Sequence, residues 1–430
     1  MAQTPGVSRA MLTWADLAQD LLWPRVLRTF GLAMSPSRLG LMLFALTALM
    51  VLDRGWHAAA GWPGSSPGPI ASAAGHAVGS LAEAAAGLAR LDGQAFGEAV
   101  YGLVMGGPAA ALRTHPWAMV VLLPLVLVIV SVAGGAVCRS AACEFSMGIR
   151  LPWPEAIGFA LRRWWLLTAA NAAPVIGVWL VSAVLVALGW LVQVAVINIL
   201  VGAAFALVLV AALVAALLML GVALAHPLLP AAIACEGTDA YDAVQRAYSY
   251  TLNRFGRLVL YYGVLAVQSL VAITVVSAVV LAALTLAQRT TGLSVVPRGD
   301  SASGAAVRML ERVTGGAQAE TPRAAPSAEP EPLPALRSTG SEAPSATPED
   351  AAGWTDRLAA RMARFWASIP LALVSALALS MYFCGSTVVY LLMRQVCDGQ
   401  DAAELWMPGM VGGTLTAGHP VGNADGATGP

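Results

Sequence analysis

Four of the five cysteines, Cys138, Cys143, Cys235 and Cys397, fall at the ends of apolar segments, and four thiolates are the ligand set of a tetrahedral zinc site. Their spacing does not form the paired knuckles that such sites use, so free thiols are expected and no metal or other cofactor is assigned. Asn171 and Pro174 are a second candidate. A proline inside a helix frees a carbonyl one turn back, which an amide side chain or a substrate can occupy. A helix kink satisfied by its own Asn is the simpler of those two roles. Gln268 places a further polar group in another apolar stretch. The five histidines show no ligand spacing. No glycine-rich phosphate loop follows a strand, and no serine elbow or paired-histidine helix is present, so no catalytic residue is assigned.

These residues are carried by a chain whose composition restricts its surroundings. Of 430 residues 58% are hydrophobic and only 11% charged, against about a quarter charged in ordinary soluble domains. Mean hydropathy is +0.71. The lipid bilayer is therefore the first expected partner. All 24 basic residues are arginine, and with heavy Ala, Gly, Val and Leu usage this suggests a GC-rich bacterial genome. The formal charge is zero and the arginines are scattered, which leaves neither a stripe for nucleic acid nor a patch for anionic lipid head groups. An odd cysteine count beside apolar segments is unlike a secreted disulfide scaffold.

Stretches free of charged residues are read against the roughly 20 residues that a helix needs to cross hydrocarbon. The stretch between Arg38 and Asp53 forms a short first span, extended backward through Gly31 to Ser37 if Arg38 snorkels to the interface. A second runs from Pro116 to Cys138. The uncharged stretch 164–225 suits two spans, with a turn expected near 189–198. Residues 258–288 and 365–393 supply the fifth and sixth. The fold class is thus all-α and polytopic, with about six transmembrane helices. No ionisable residue is expected within the spans.

Arginines in short loops mark the cytoplasmic side. They cluster before span one (Arg25, Arg28, Arg38), between two and three (Arg139, Arg150, Arg162, Arg163) and between four and five (Arg246, Arg254, Arg257). Both termini, 1–38 and 394–430, are then cytoplasmic. The loop 53–115 and the segment 289–364 are external, and 315–353, rich in Pro, Ala, Ser and Glu, reads as a disordered linker. Residues 305–313 and 355–365 read as short interfacial helices, and 76–105 as a helix on the membrane surface.

An imperfect repeat runs along the cytoplasmic side. Ala142-Cys143-Glu144 recurs as Ala234-Cys235-Glu236, and each precedes an acidic helix start at Glu155 or Asp242. Arg162-Arg163-Trp164-Trp165 and Arg254-Phe255-Gly256-Arg257 then lead into the next span. A third copy precedes span one, from Trp14 and Asp16 to Arg28 and Phe30. Each unit is an amphipathic interfacial helix feeding a membrane hairpin, with acids at the positive end of the helix dipole and arginines at the negative end. The acids Asp398, Asp401 and Glu404 are placed to contact the helices that carry Arg246 and Arg254.

At Glu236-Gly237, Ala243, Arg246-Ala247, Leu252 and Arg254-Phe255-Gly256-Arg257 the chain resembles bacterial polytopic membrane proteins of unknown function and the membrane domain found ahead of some glycerophosphodiester phosphodiesterases. About 30 residues carry the resemblance, which implies a fold type and no reaction. No phosphodiesterase catalytic domain follows Arg394. The expectation is a non-enzymatic bacterial inner-membrane scaffold or assembly component, with other membrane proteins as partners. The alternative is a permease or lipid-handling protein for an uncharged or amphipathic substrate, with a cavity near Asn171, Pro174 and Gln268. Glu144, Glu236, Arg246 and Arg254 are the candidate structural residues of the repeat.

Overall fold

A computed structural model describes residues 22–59, 68–114, 116–191, 205–291, 354–407 and 410. Among them the chain is 91% helical and contains no strand. A 3-10 turn, Trp23–Arg28, leads into α1 (Thr29–Ala33) and α2 (Pro36–Ala59). Then come α3 (Pro69–Ala89), α4 (Gly93–Tyr101), a π-helical turn (Gly102–Gly106), α5 (Gly107–Thr114) and α6 (Pro116–Met147). The rest comprises α7 (Trp153–Arg162), α8 (Trp164–Leu191), α9 (Phe205–Ala225), α10 (Leu229–Glu236), α11 (Ala240–Asn253), α12 (Phe255–Thr291) and α13 (Trp354–Asp398).

Among the described residues six helices are long and apolar enough to cross a membrane: Pro36–Ala59, Pro116–Met147, Trp164–Val184, Phe205–Glu236, Phe255–Thr291 and Arg361–Asp398. The protein is all-α and polytopic. Burial shows which apolar faces the protein itself leaves uncovered. The best apolar window of Phe205–Glu236 has a hydropathy of 3.0, yet only 11% of it is buried, and Leu207, Leu213 and Leu217 of α9 stand exposed. So apolar an outer face is expected where the solvent is hydrocarbon.

The span helices run past the apolar windows into the charged segments. α6 carries Arg139 and Glu144, α2 carries Arg38 near its start, and α13 carries Arg394. These charges lie beyond the charge-free stretches 39–52, 116–138 and 365–393, in continuations of the same helices. Charge gaps mark only the apolar stretch, and the helix continues wherever the protein itself buries and pairs the charge. Residues 355–365 also belong to α13 and are not a separate interfacial helix. The expected turn near 189–198 lies mostly outside the described residues, and the linker 315–353 and the stretch 305–313 lie wholly outside them.

The first inter-span loop departs from a single surface helix. It breaks after α3, where Leu91 adopts a positive φ of 55°, and Asp92 then caps α4 by accepting from the amides of Gln94 and Ala95. The chain returns against α3, and Val104 is buried with Val178 of α8 and Val222 of α9. Asp53 of α2 accepts from the amide of Ile70 at 2.8 Å, fixing the start of α3.

Contacts divide the chain into two units. One comprises the residues through Val275 together with those from Leu373 onward. Its centre is the second half of α6, all of α10 and the second half of α13, where Val137, Ile233, Leu377 and Tyr390 are wholly enclosed. Gly134 of α6 lies where a β-carbon would collide with Phe383, so α6 and α13 meet closely. The other unit, Val276–Ala372, pairs the end of α12 with the start of α13 through Val280, Leu284, Ala363, Ala367 and Leu371.

Candidate functional site

The two repeat units are built alike. α6 and α10 each end at a glycine of positive φ, Gly148 at 69° and Gly237 at 61°. This left-handed stop, favoured by glycine, turns the chain into the next helix. At Gly148 the amide of Ile149 reaches back to the carbonyl of Cys143 at 3.4 Å, while that of Gly148 bonds Glu144 at 3.1 Å. The following helices α7 and α11 begin after extended residues, Pro152 and Asp239, and Asp239 accepts from the amide of Asp242. Each then breaks at an arginine outside helical geometry, Arg163 and Arg254, before the next span.

A third helix end completes the set. α13 closes with Cys397-Asp398-Gly399, and Gly399 has φ 68°. Spans two, four and six thus each end in cysteine, an acid and a left-handed glycine. The sequence signal for this copy was the triplet itself, Cys-Glu-Gly at 235–237 against Cys-Asp-Gly at 397–399. Among the described residues no helix follows it, which hides the likeness to the other two. The proposed N-terminal copy begins in residues outside the described set and continues as Trp23–Ala33.

The three acids organise a layer of paired charge in which Glu236 is buried, Glu144 half-buried and Asp398 exposed. Glu144 accepts from Arg38 Nη2 at 2.6 Å, and Arg38, with 1% of its side chain exposed, also donates to Ser140 and to the Leu32 carbonyl at 2.5 Å. Arg150 reaches the other oxygen of Glu144 at 3.2 Å. Glu236 pairs with Arg246 and accepts from the hydroxyl of Tyr390. Arg394, wholly buried, places Nη1 4.0 Å from Glu236 and donates from Nη2 to the Asp401 carbonyl at 3.0 Å and to that of Glu404. Asp398 accepts from the hydroxyl of Tyr250.

The segment after α13 closes this layer. The amide of Trp406 donates to the Cys235 carbonyl at 2.8 Å. Its ring lies 4.5 Å beneath the Arg163 guanidinium carbon and 6.4 Å from the ring of Phe159. Arg163 donates to the Gly237 carbonyl at 2.6 Å, and Arg139 to that of Ala234 at 2.9 Å. Backbone carbonyls left open where α10 ends are thus taken by arginines of the neighbouring unit.

The electrostatics follow from burial and pairing. Burial, and then the nearby Arg139 cation, hold Arg163 below the usual guanidinium pKa. Burial works against the charge on Arg246 too, but the Glu236 carboxylate, with Tyr390, Tyr250 and Asp398, raises its pKa overall. Burial and the bond to Asp398 push Tyr250 up, so its hydroxyl stays a donor.

The remaining sequence candidates are dispersed. Asn171 is buried and donates both to Ser131 Oγ and to the Leu167 carbonyl, each at 3.0 Å. Pro174 lies buried within α8, and the carbonyl it releases is that of Ala170, which Asn171 does not take. Gln268 donates to the Leu27 carbonyl at 2.8 Å. Asn171 and Gln268 therefore serve two different interfaces. Arg254 is exposed at the end of α11, and Asp398 meets that helix through the bond from Tyr250 and through its charge on Arg246. Among the described residues no cluster of His, Cys, Asp and Glu is arranged to hold a metal ion. Cys138, Cys143, Cys235 and Cys384 are buried as free thiols.

An arrangement that pairs charge with charge and caps helix ends can lock helices together. No family model, no curated protein and no solved structure matches the chain.

Proposed function

We propose that this chain is a multi-pass protein of a bacterial inner membrane, acting as a non-enzymatic scaffold or membrane-assembly component with both termini cytoplasmic. The observation that carries the reading is the fate of the ionisable side chains at the ends of spans two, four and six. Glu144, Glu236 and Asp398 are each engaged by Arg or Tyr side chains of the same chain. Charge inside a membrane protein is costly and usually marks a transport or proton path; here it is used for helix-to-helix attachment.

Reconstitution tests this. Purified protein in sealed liposomes is expected to leave the flux of uncharged and amphipathic solutes, and the flip of labelled phospholipid, at the level of empty liposomes. In the parent membrane the chain should migrate within a larger complex that disappears when it is deleted. Flux or lipid flip that requires the chain alone would overturn the scaffold reading. That outcome favours the second reading, a permease or lipid-handling protein. Asn171 and Gln268 are bonded within the protein, so this second reading draws support from an apolar cavity elsewhere.

A further inference from the structure

The return of the first inter-span loop leaves a cavity of about 130 Å³, walled by α3, the π-helical turn, α5, α6 and α8. Its lining includes Ala73, Ala77, Leu103, Met119, Leu123 and Trp179. We propose that this cavity is a binding site for the end of a single lipid acyl chain.

Three features point to that occupant. The first is chemistry. The walls are aliphatic apart from Trp179, whose Nε1 already donates to the Val104 carbonyl at 3.0 Å. A polar ligand would find no partner there, and an apolar cavity of this size, like the engineered one of about 150 Å³ that takes up benzene, stays dry and accepts hydrocarbon. The second is construction. The turn at Gly102–Gly106 has π geometry, a widened register that recurs at functional sites because it displaces a helix wall. The Trp179 indole both bonds a carbonyl of that turn and forms the cavity wall, so the bulge and the cavity are held by one side chain.

The third is access. Leu112 and Leu123 line the cavity and are also partly exposed. On α6 that exposed face continues through Trp117, Val120 and Val121, residues of a span whose apolar window has hydropathy 2.8. The cavity is thus continuous with the surface that meets hydrocarbon, and the ligand supplied there is an acyl chain. Site and scaffold reading are independent, since a scaffold can carry a structural lipid.

The test uses the full-length protein in nanodiscs of phosphatidylglycerol bearing a diazirine at the acyl terminus. After photolysis, adducts are mapped by peptide mass spectrometry. Adducts at Leu103, Leu123 and Trp179 are expected several-fold above those at Leu213 and Leu217 of α9, which face lipid without a cavity. Ala77→Phe and Ala73→Leu, which fill the space, should bring the cavity adducts down to the α9 level and leave α9 unchanged. Uniform labelling of the wild type overturns the proposal, as does enrichment that survives both substitutions in monodisperse protein. Should neither variant fold, the wild-type ratio of cavity to α9 adducts decides alone.

Discussion

Arg394 Nη1 faces Glu236 Oε1 across 4.0 Å, with 0% and 5% of the two side chains exposed. The pair ties the end of span six to the end of span four. Arg246 binds the other oxygen of the same carboxylate from α11. Removing the acid takes a carboxylate away from two cations, of which Arg394 is enclosed with no water in reach. Glu236→Ala is therefore expected to cost about 3–5 kcal/mol, the range for breaking a buried pair from one side. Denaturant unfolding in detergent micelles measures it. Arg394→Ala added to Glu236→Ala should recover part of the loss, and a double variant no better than the single would refute the coupling.

Glu144 offers an internal comparison, because two arginines share it. Arg38 is enclosed, whereas 85% of the Arg150 side chain is exposed. An exposed pair contributes about 0–1 kcal/mol, and an enclosed one costs several times that when broken. Arg150→Ala should leave the unfolding midpoint nearly unchanged, while Arg38→Ala lowers it sharply. High salt should erase the small effect of Arg150 and spare the large one, since buried charge is poorly screened. Equal effects of the two substitutions would show that Glu144 is held by something other than Arg38.

Gly237 and Trp406 form a second coupled pair. The glycine has φ 61°, and a β-carbon on it would run into the indole ring. Gly237→Ala thus carries two penalties, about 1 kcal/mol or more for the left-handed backbone and the displacement of Trp406. Trp406→Ala removes only the second. In a double-mutant cycle, Gly237→Ala should cost less in the Trp406→Ala background, by about 0.5–3 kcal/mol. Additive effects would mean that the segment after α13 does not rest on the α10 turn.

The sequence made the six spans legible because charge-free stretches long enough for a bilayer are a strong signal, and each of the six helices carries such a stretch or part of one. The Cys-Glu repeat was legible too, since two copies at 142–144 and 234–236 share the same neighbours. What stayed hidden was pairing at a distance. Arg38 meets Glu144 106 residues along the chain, and Tyr390 meets Glu236 154 residues away. No local pattern encodes such contacts. Arg394 reads from its neighbours as an interfacial flank, and only the packed helices show that it is enclosed. The deep course of Val104 was missed for a related reason: periodicity shows that a helix has an apolar face, and does not tell lipid from protein as the surface it meets.

The orientation of the repeat can be decided by thiol access, provided that the native cysteines are not used as reporters. Cys143 and Cys235 are buried, so a maleimide that failed to reach them would report packing and not sidedness. Exposed positions serve better: Arg150 and Tyr241 beside the repeat turns, and Gln94 in the loop between spans one and two. Each is replaced by cysteine in a background where Cys397, the partly exposed native thiol, is changed to serine. The arginine distribution places the repeat turns inside. Arg150→Cys and Tyr241→Cys should then react with a membrane-impermeant maleimide only after permeabilisation, and Gln94→Cys should react in intact cells. The reverse pattern would put the layer of paired charge on the outer face, and the partners of the proposed scaffold would have to be sought there.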